Sequence, residues 1–272
     1  MVEPLTPEQQ LERMQRDWDE RARANARYFV NTAREDWTDE EFFASGERTV
    51  DTYIRNDMIN ICQGRDPRRM KVLEIGCGAG RVTRALARLF GEVYAVDISA
   101  EMVRLARRAC ADLRNVRIEQ NNGRDLACLG RLEVDFAFST IVFQHIPSKE
   151  IIESYIRDVY RLLRPRGLFK FQVQGAQLVE EGGYDTWLGV PLTEEDAVEM
   201  ALRNGFEPRY RHGAGTQDFW LWYFKRSRAR QLGIYWARKA RRKLHARWQA
   251  LRARFASGRE TASAAPGDSR NG

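Results

Sequence analysis

Three short runs carry side chains at spacings suited to chemistry. The first is Glu74-Ile75-Gly76-Cys77-Gly78-Ala79-Gly80. Glycines at alternate positions let a backbone turn sharply, approach a ligand at contact distance and present amides to an electron-rich group. The second is Val96-Asp97-Ile98-Ser99, where a carboxylate closing an apolar run can accept both hydroxyls of a ribose. The third is Phe138-Ser139-Thr140-Ile141-Val142-Phe143-Gln144-His145-Ile146-Pro147, whose imidazole can take a proton near neutral pH. Each run also has a plainer use: glycines turn chains, an Asp caps a helix, and a His orients backbone at a helix start. A dinucleotide fingerprint would need its third glycine at position 81, where Arg81 stands, and an apolar residue where Glu74 stands.

These runs need elements to hold them. From residue 70 short apolar runs at 72–75, 93–96, 116–118, 134–138 and 168–173 alternate with helical stretches at about 80–89, 99–112 and 150–163. A helix over 193–204 and two late strands, 206–212 and 217–225, complete the pattern. Such alternation predicts an α/β fold, a doubly wound, mostly parallel seven-stranded sheet covered on both faces. Ahead of it the spacing predicts helices over 6–30 and 39–61, opened by Thr6-Pro7-Glu8 and by Thr38 with three acids behind it. The expected organisation is an N-terminal helical lid or cap (1–65), a ligand-binding domain (66–226), a basic amphipathic helix (227–256) and a disordered tail (257–272).

The combination of glycine loop, Glu74 and Asp97 resembles the class I S-adenosylmethionine-dependent methyltransferases, over roughly residues 70–225. The resemblance implies a Rossmann-like methyltransferase fold with S-adenosylmethionine as cofactor. It implies that Gly76, Cys77, Gly78 and Gly80 wrap the methionine portion, with Glu74 supporting the loop and Asp97 holding the ribose. Adenine would lie between Ile98 and the segment after the third strand, with Asn122 and Gly123 beside it, and Ser139 would close the fourth strand at the site. In this family the 138–147 crossover passes beside the reactive methyl, so His145 is the candidate base. The strand ends offer further polar groups, Gln172, Gln174, Tyr210, Gln217 and Asp218, and His212 as an alternative base. Trp18, Gln144, Gln174, Tyr184 and Trp187 are the candidate acceptor-binding residues, Trp18 on a segment resembling the lid helix of relatives.

Several chemistries lose support. The Asn or Asp followed by Pro-Pro-aromatic of amino-methylating nucleic-acid enzymes is replaced by Ser139-Thr140-Ile141-Val142, and a Pro-Cys nucleophile and the carboxylate cluster of metal-dependent relatives are missing after the fourth strand. The expected activity is metal-independent methyl transfer, oxygen favoured over nitrogen, to a small-molecule, lipid-linked or glycolipid-like acceptor. An RNA methyltransferase using the basic tail and a binding protein without catalysis are the alternatives.

The formal charge of +7 is unevenly placed, since residues 225–259 carry thirteen Lys and Arg and no Asp or Glu. The preceding body is therefore mildly acidic, which disfavours nucleic acid as a partner. Cys62, Cys77, Cys110 and Cys128 lack metal-ligand spacing and read as reduced cytoplasmic thiols. The sequence has no window of about twenty apolar residues, and its charged opening residues, lacking an apolar stretch, are not expected to act as a secretory signal. In 227–256 the residues Leu232, Trp236, Ala240, Leu244, Trp248, Leu251 and Phe255 form one stripe among Lys and Arg. That pattern suits peripheral docking on an anionic membrane at its inner face; packing on the body or on a second copy, and nucleic-acid binding, compete with it. Truncation after Lys225 is expected to leave the cofactor site folded and to abolish sedimentation with anionic vesicles. Unchanged sedimentation would remove the membrane reading, and unfolding would assign the stripe to the core.

Overall fold

The computed structural model describes residues 6–178 and 185–226. The expected helix over 227–256, the tail and Tyr184 lie outside the described residues. Among the described residues no helix is long and apolar enough to cross a membrane.

The chain opens with α1 (Pro7–Val30) and α2 (Asp39–Tyr53), each started by a Thr capping box, Thr6 with Gln9 and Thr38 with Glu41. A 3-10 turn over Arg55–Asp57 leads into the short α3 (Met58–Cys62). Then follow β1 (Lys71–Ile75), α4 (Arg81–Leu89), β2 (Glu92–Asp97), α5 (Ala100–Ala109), β3 (Val116–Gln120) and β4 (Val134–Ser139). A 3-10 turn over Phe143–His145 precedes α6 (Lys149–Leu162), β5 (Leu163–Val173), α7 (Glu194–Arg203), β6 (Phe206–His212) and β7 (Phe219–Lys225).

The seven strands lie in the order β3-β2-β1-β4-β5-β7-β6. All neighbours pair in parallel except β7, which is antiparallel to both β5 and β6. Strand order reverses between β1 and β4, which opens a crevice at their carboxyl ends. Side chains alternate across the sheet as the pleat requires. Leu73, Ile75, Ala137, Phe169 and Phe171 face one core with Ile152, Ile156 and Val159 of α6. Val72, Phe136, Phe138 and Leu168 face the other, with Val50, Ile61 and Leu86. Burial on both faces is why β1 and β4 read as continuous apolar runs.

Two expected boundaries move. The helix expected over 39–61 breaks after Tyr53 because the Arg55–Asp57 turn delivers Asp57 to the sheet. Its Oδ2 receives the Lys170 ammonium at 2.8 Å and the Trp222 indole N–H at 2.6 Å. A buried Lys without a counter-charge would cost several kcal/mol, so pairing outweighs helix continuity. The fifth strand, expected from 168, begins at Leu163, and a register shift opposite Val134 and Phe136 accommodates Pro165.

Helices α2 and α4 cross at Gly46, where an added methyl group would collide with the Arg81 carbonyl. Gly46→Ala is therefore expected to cost about 1–3 kcal/mol by overpacking, read as a lower urea midpoint. Wild-type stability in that variant would contradict this contact.

Candidate active site

The carboxyl end of β1 turns through the glycine loop into α4. Gly76 and Gly78 have φ of 75° and 51°, the left-handed region that glycine enters at little cost. A methyl group on Gly76 would collide with Val142, and one on Gly78 would lie 2.6 Å from Val30 Cγ2. The loop is thus clasped between the crossover after β4 and helix α1. The Gly76 and Cys77 amides donate to the Val96 carbonyl at 2.8 and 3.0 Å, locking the loop to β2.

At the end of β2 the buried Asp97 carboxylate accepts the Gly78 amide (2.8 Å) on Oδ2 and the Ser99 amide (3.0 Å) on Oδ1. Burial pushes its pKa up to about 6; the Ser99, Gly78 and Ile98 amides oppose the rise and the Asp19 charge adds to it. Glu74, beneath the loop, is pushed to about 7 by burial, against the Thr83 hydroxyl that donates to it at 2.6 Å and the positive charge of Arg81. The buried Arg81 guanidinium donates through Nη1 to the Ser45 carbonyl (3.0 Å) and Thr49 Oγ1 (2.8 Å), and its Nε has no partner.

Above this floor lies a cleft at the carboxyl ends of β1, β2 and β4. Asp97 and Ile98, Asn121 and Tyr155, and the Thr140–Val142 backbone wall it, while Met14, Trp18, Phe29 and Val30 of α1 roof it. Ile141 holds φ 56°, an outlier for a β-branched residue, and its amide donates to Gln172 Oε1 at 2.8 Å. The roof is fastened at two places. Asp19 accepts the Ser99 hydroxyl (2.5 Å) and the Glu101 amide (3.1 Å) at the start of α5. Thr186 donates to Asp17 at 2.7 Å and receives both Arg21 Nη groups at 3.1 Å. A bend at Asn25 (φ −163°, ψ 83°) directs the last turn of α1, with Phe29 and Val30, toward the glycine loop.

His145 is buried between Trp18 and Trp187, with ring centroids 5.1 and 5.0 Å away. Its Nδ1 lies 2.6 Å from the Trp187 carbonyl, which only accepts, so that nitrogen carries the proton. Burial lowers its pKa to about 4; the Trp187 carbonyl and Asp185 oppose this, and Arg21 adds to it. The imidazole is therefore neutral at physiological pH.

Glu74, Gly76, Cys77, Gly78, Asp97, Ile98, Trp18 and His145 all line the cleft. Other expected positions serve it indirectly or lie elsewhere. Asn122 is exposed, and its Oδ1 accepts the Arg124 and Asp125 amides at 2.9 Å in a tight turn. Its neighbour Asn121 faces the cleft instead, with Nδ2 donating to Tyr155 Oη (2.6 Å) and Oδ1 unpartnered. Gly123 packs under Ile98, Gly80 starts α4 against Ala106, and Ser139 donates to the Ile75 carbonyl at 2.8 Å beneath the loop. Gln174 ties down the following loop by accepting the Ala176 amide on Oε1. Gln144 is held between Gln172 and His145, and Trp187 backs the imidazole. His212 is exposed at the end of the edge strand β6, outside the cleft lining. Sequence reasoning did not single out Met14, Phe29 and Val30 within the expected lid segment, nor Asn121 within the segment expected beside the adenine, and all four line the cleft.

Residues 72–167 match a family model described as a methyltransferase domain. A ubiquinone biosynthesis O-methyltransferase of Xanthomonas oryzae pv. oryzae is 32% identical over 98 residues, 36% of this chain and 40% of that protein. The mitochondrial ubiquinone biosynthesis O-methyltransferase of Rattus norvegicus is 26% identical over 140 residues, 46% of this chain and 38% of that protein. The chain thus matches about two fifths of the length of these curated relatives. The solved magnesium protoporphyrin IX methyltransferase of Synechocystis PCC 6803 with bound S-adenosylmethionine shares the fold, with TM-score 0.59, 16% identity, and coverage of 83% of this chain and all of that one.

Asp97 and Glu74 titrate above their ordinary values of 3.8 and 4.5, so the folded state holds protons that the unfolded chain has released. Their contribution to stability is full below about pH 4 and is lost as pH rises through about 6 and 7. Urea midpoints of the ligand-free protein are expected to fall between about pH 5 and about pH 7.5, with Asp97→Asn flattening the lower part of that slope. A slope unchanged by Asp97→Asn would contradict the assignment.

Proposed function

We propose that this chain, whose residues 72–167 form a class I S-adenosylmethionine-dependent methyltransferase domain, transfers the cofactor's methyl group to an oxygen of a small acceptor. Bound S-adenosylmethionine supplies an electrophilic methyl group on a sulfonium. The residues present fit that cofactor. Asp97 offers a carboxylate to the ribose hydroxyls, and the unpartnered Asn121 Oδ1 offers an acceptor to the adenine amino group. Gly76–Gly78 and the buried Arg81 line the end suited to an amino-acid moiety.

The observation that carries the acceptor side is His145, a neutral imidazole lining the cleft between two tryptophans. An acceptor hydroxyl donating to Nε2 takes the place of the Gln144 amide there. As its oxygen attacks, the proton passes to Nε2, and the Trp187 carbonyl and Asp185 favour the imidazolium that forms. Trp18, Phe29 and Val30 exclude water and align an apolar acceptor body. The names of the Xanthomonas and rat relatives support oxygen as the methylated atom. The basic residues of 225–259 support an acceptor presented at an anionic membrane surface.

His145→Ala is expected to lower kcat by about 10²–10⁴-fold, while calorimetry finds the affinity for S-adenosylhomocysteine unchanged. The wild-type acid limb should fall near pH 4 rather than at the usual histidine midpoint. Lost affinity with preserved kcat would make His145 structural, and no affinity in the wild type would overturn the cofactor reading.

A further inference from the structure

A buried row of side chains runs from β5 to His145, and its polarity is settled by backbone groups at both ends. At one end Gln172 Oε1 accepts the Ile141 amide at 2.8 Å, while its Nε2 donates to the Gln217 carbonyl at 2.8 Å. An amide N–H only donates and a carbonyl only accepts, so the Gln172 side chain has one allowed orientation. Its remaining N–H points to Gln144 at 2.6 Å, and Gln144 must present its oxygen. The Gln144 Nε2 then faces His145 Nε2 at 3.2 Å as a donor, so the imidazole must accept there. From the other end, the Trp187 carbonyl 2.6 Å from Nδ1 independently requires that nitrogen to carry the proton. The two ends agree on one tautomer. Gln172, Gln144 and His145 are all buried, at 1%, 7% and 5% exposure, so water does not relax the requirement.

We propose that Gln172 and Gln144 are positioning residues, an amide relay that joins the Trp187 carbonyl in favouring the Nδ1–H tautomer of His145 and holds its Nε2 unprotonated as the proton-accepting atom. This deepens the reading of His145 as general base and rests on it for its catalytic consequence only. Protonation at Nε2 would set two donors against each other, His145 N–H and Gln144 N–H. Gln144 cannot turn its oxygen toward the ring without abandoning the Gln172 donor. The relay therefore keeps the imidazole neutral until an acceptor hydroxyl replaces Gln144 at Nε2. The charged groups that face His145 are Arg21 from α1, which opposes the imidazolium, and Asp185 from the 185–188 loop, which favours it.

The test is nitrogen-15 NMR of the imidazoles in the full chain, which has only three histidines to assign. Wild-type His145 is expected as the Nδ1–H tautomer. In Gln172→Glu the carboxylate still accepts the Ile141 amide but offers no donor, so Gln144 is free to turn its oxygen to Nε2. The His145 midpoint is then expected to rise by about one pH unit or more, a tenfold or larger change in proton affinity. The acid limb of kcat should move with it. Gln144→Met, which removes the donor without adding a charge, should raise the midpoint less and keep the Nδ1–H tautomer. A wild-type Nε2–H tautomer, or midpoints unmoved in both variants, overturns the relay. Midpoints that move while the kcat profile stays put support the relay and remove His145 as the base.

Discussion

The structure depends first on a carboxylate taken out of water at the end of β2. Asp97 has no place in an apolar interior unless its oxygens are met, and the chain meets them with backbone amides from both directions. Gly78 must bend into the left-handed region to bring its amide there, and Ser99 must start α5 at that point. The same two commitments set the cleft floor, because the loop that satisfies Asp97 is the loop that faces the ligand. Glu74 and Arg81 extend the arrangement downward, a buried acid and a buried base that moderate each other across the start of α4. Satisfaction stops short at two cleft residues, where Arg81 Nε and Asn121 Oδ1 have no partner.

Farther along the same face, where Phe138 pairs with both Glu74 and Lys170, a related problem is solved by different means. Lys170 lies under α2 with only 4% of its side chain exposed, and Asp57 neutralises it while the Trp222 ring lies 4.6 Å from its ammonium. That pair breaks a helix, so a charge in the sheet reshapes the layer above it. One face of the sheet therefore carries a fully paired charge beside β5 and, at the carboxyl ends of β1 and β2, buried charges that include the unpartnered Arg81 Nε.

The elements that were legible in the sequence are those whose signals are local. Alternate glycines, a strand-ending Asp and Thr caps act through neighbours a few residues away, and they mark the loop, Asp97 and the helix starts. Asn121 and Asn122 show where legibility stops. They are identical and adjacent, and only the turn closed by the Asn122 side chain decides which one reaches the cleft. His212 shows that a strand end is informative only once the strand's place in the sheet is known, since β6 lies at the edge and leaves His212 exposed. The break after Tyr53 left no local trace, since its cause is Lys170, more than a hundred residues later. Gln172 was visible as a polar residue at a strand end, but not as the start of a relay.

Helix α1 brings a further consequence through its place in the chain. The roof of the cleft is made first, yet its fastenings arrive much later, Ser99 80 residues beyond Asp19 and Thr186 169 beyond Asp17. During synthesis α1 emerges with nothing to cover, and its apolar face stays open until nearly the whole sheet exists. Contacts of such sequence separation carry the largest loop-closure cost and form late. What forms last through few, partly exposed bonds is also what opens first in the native state.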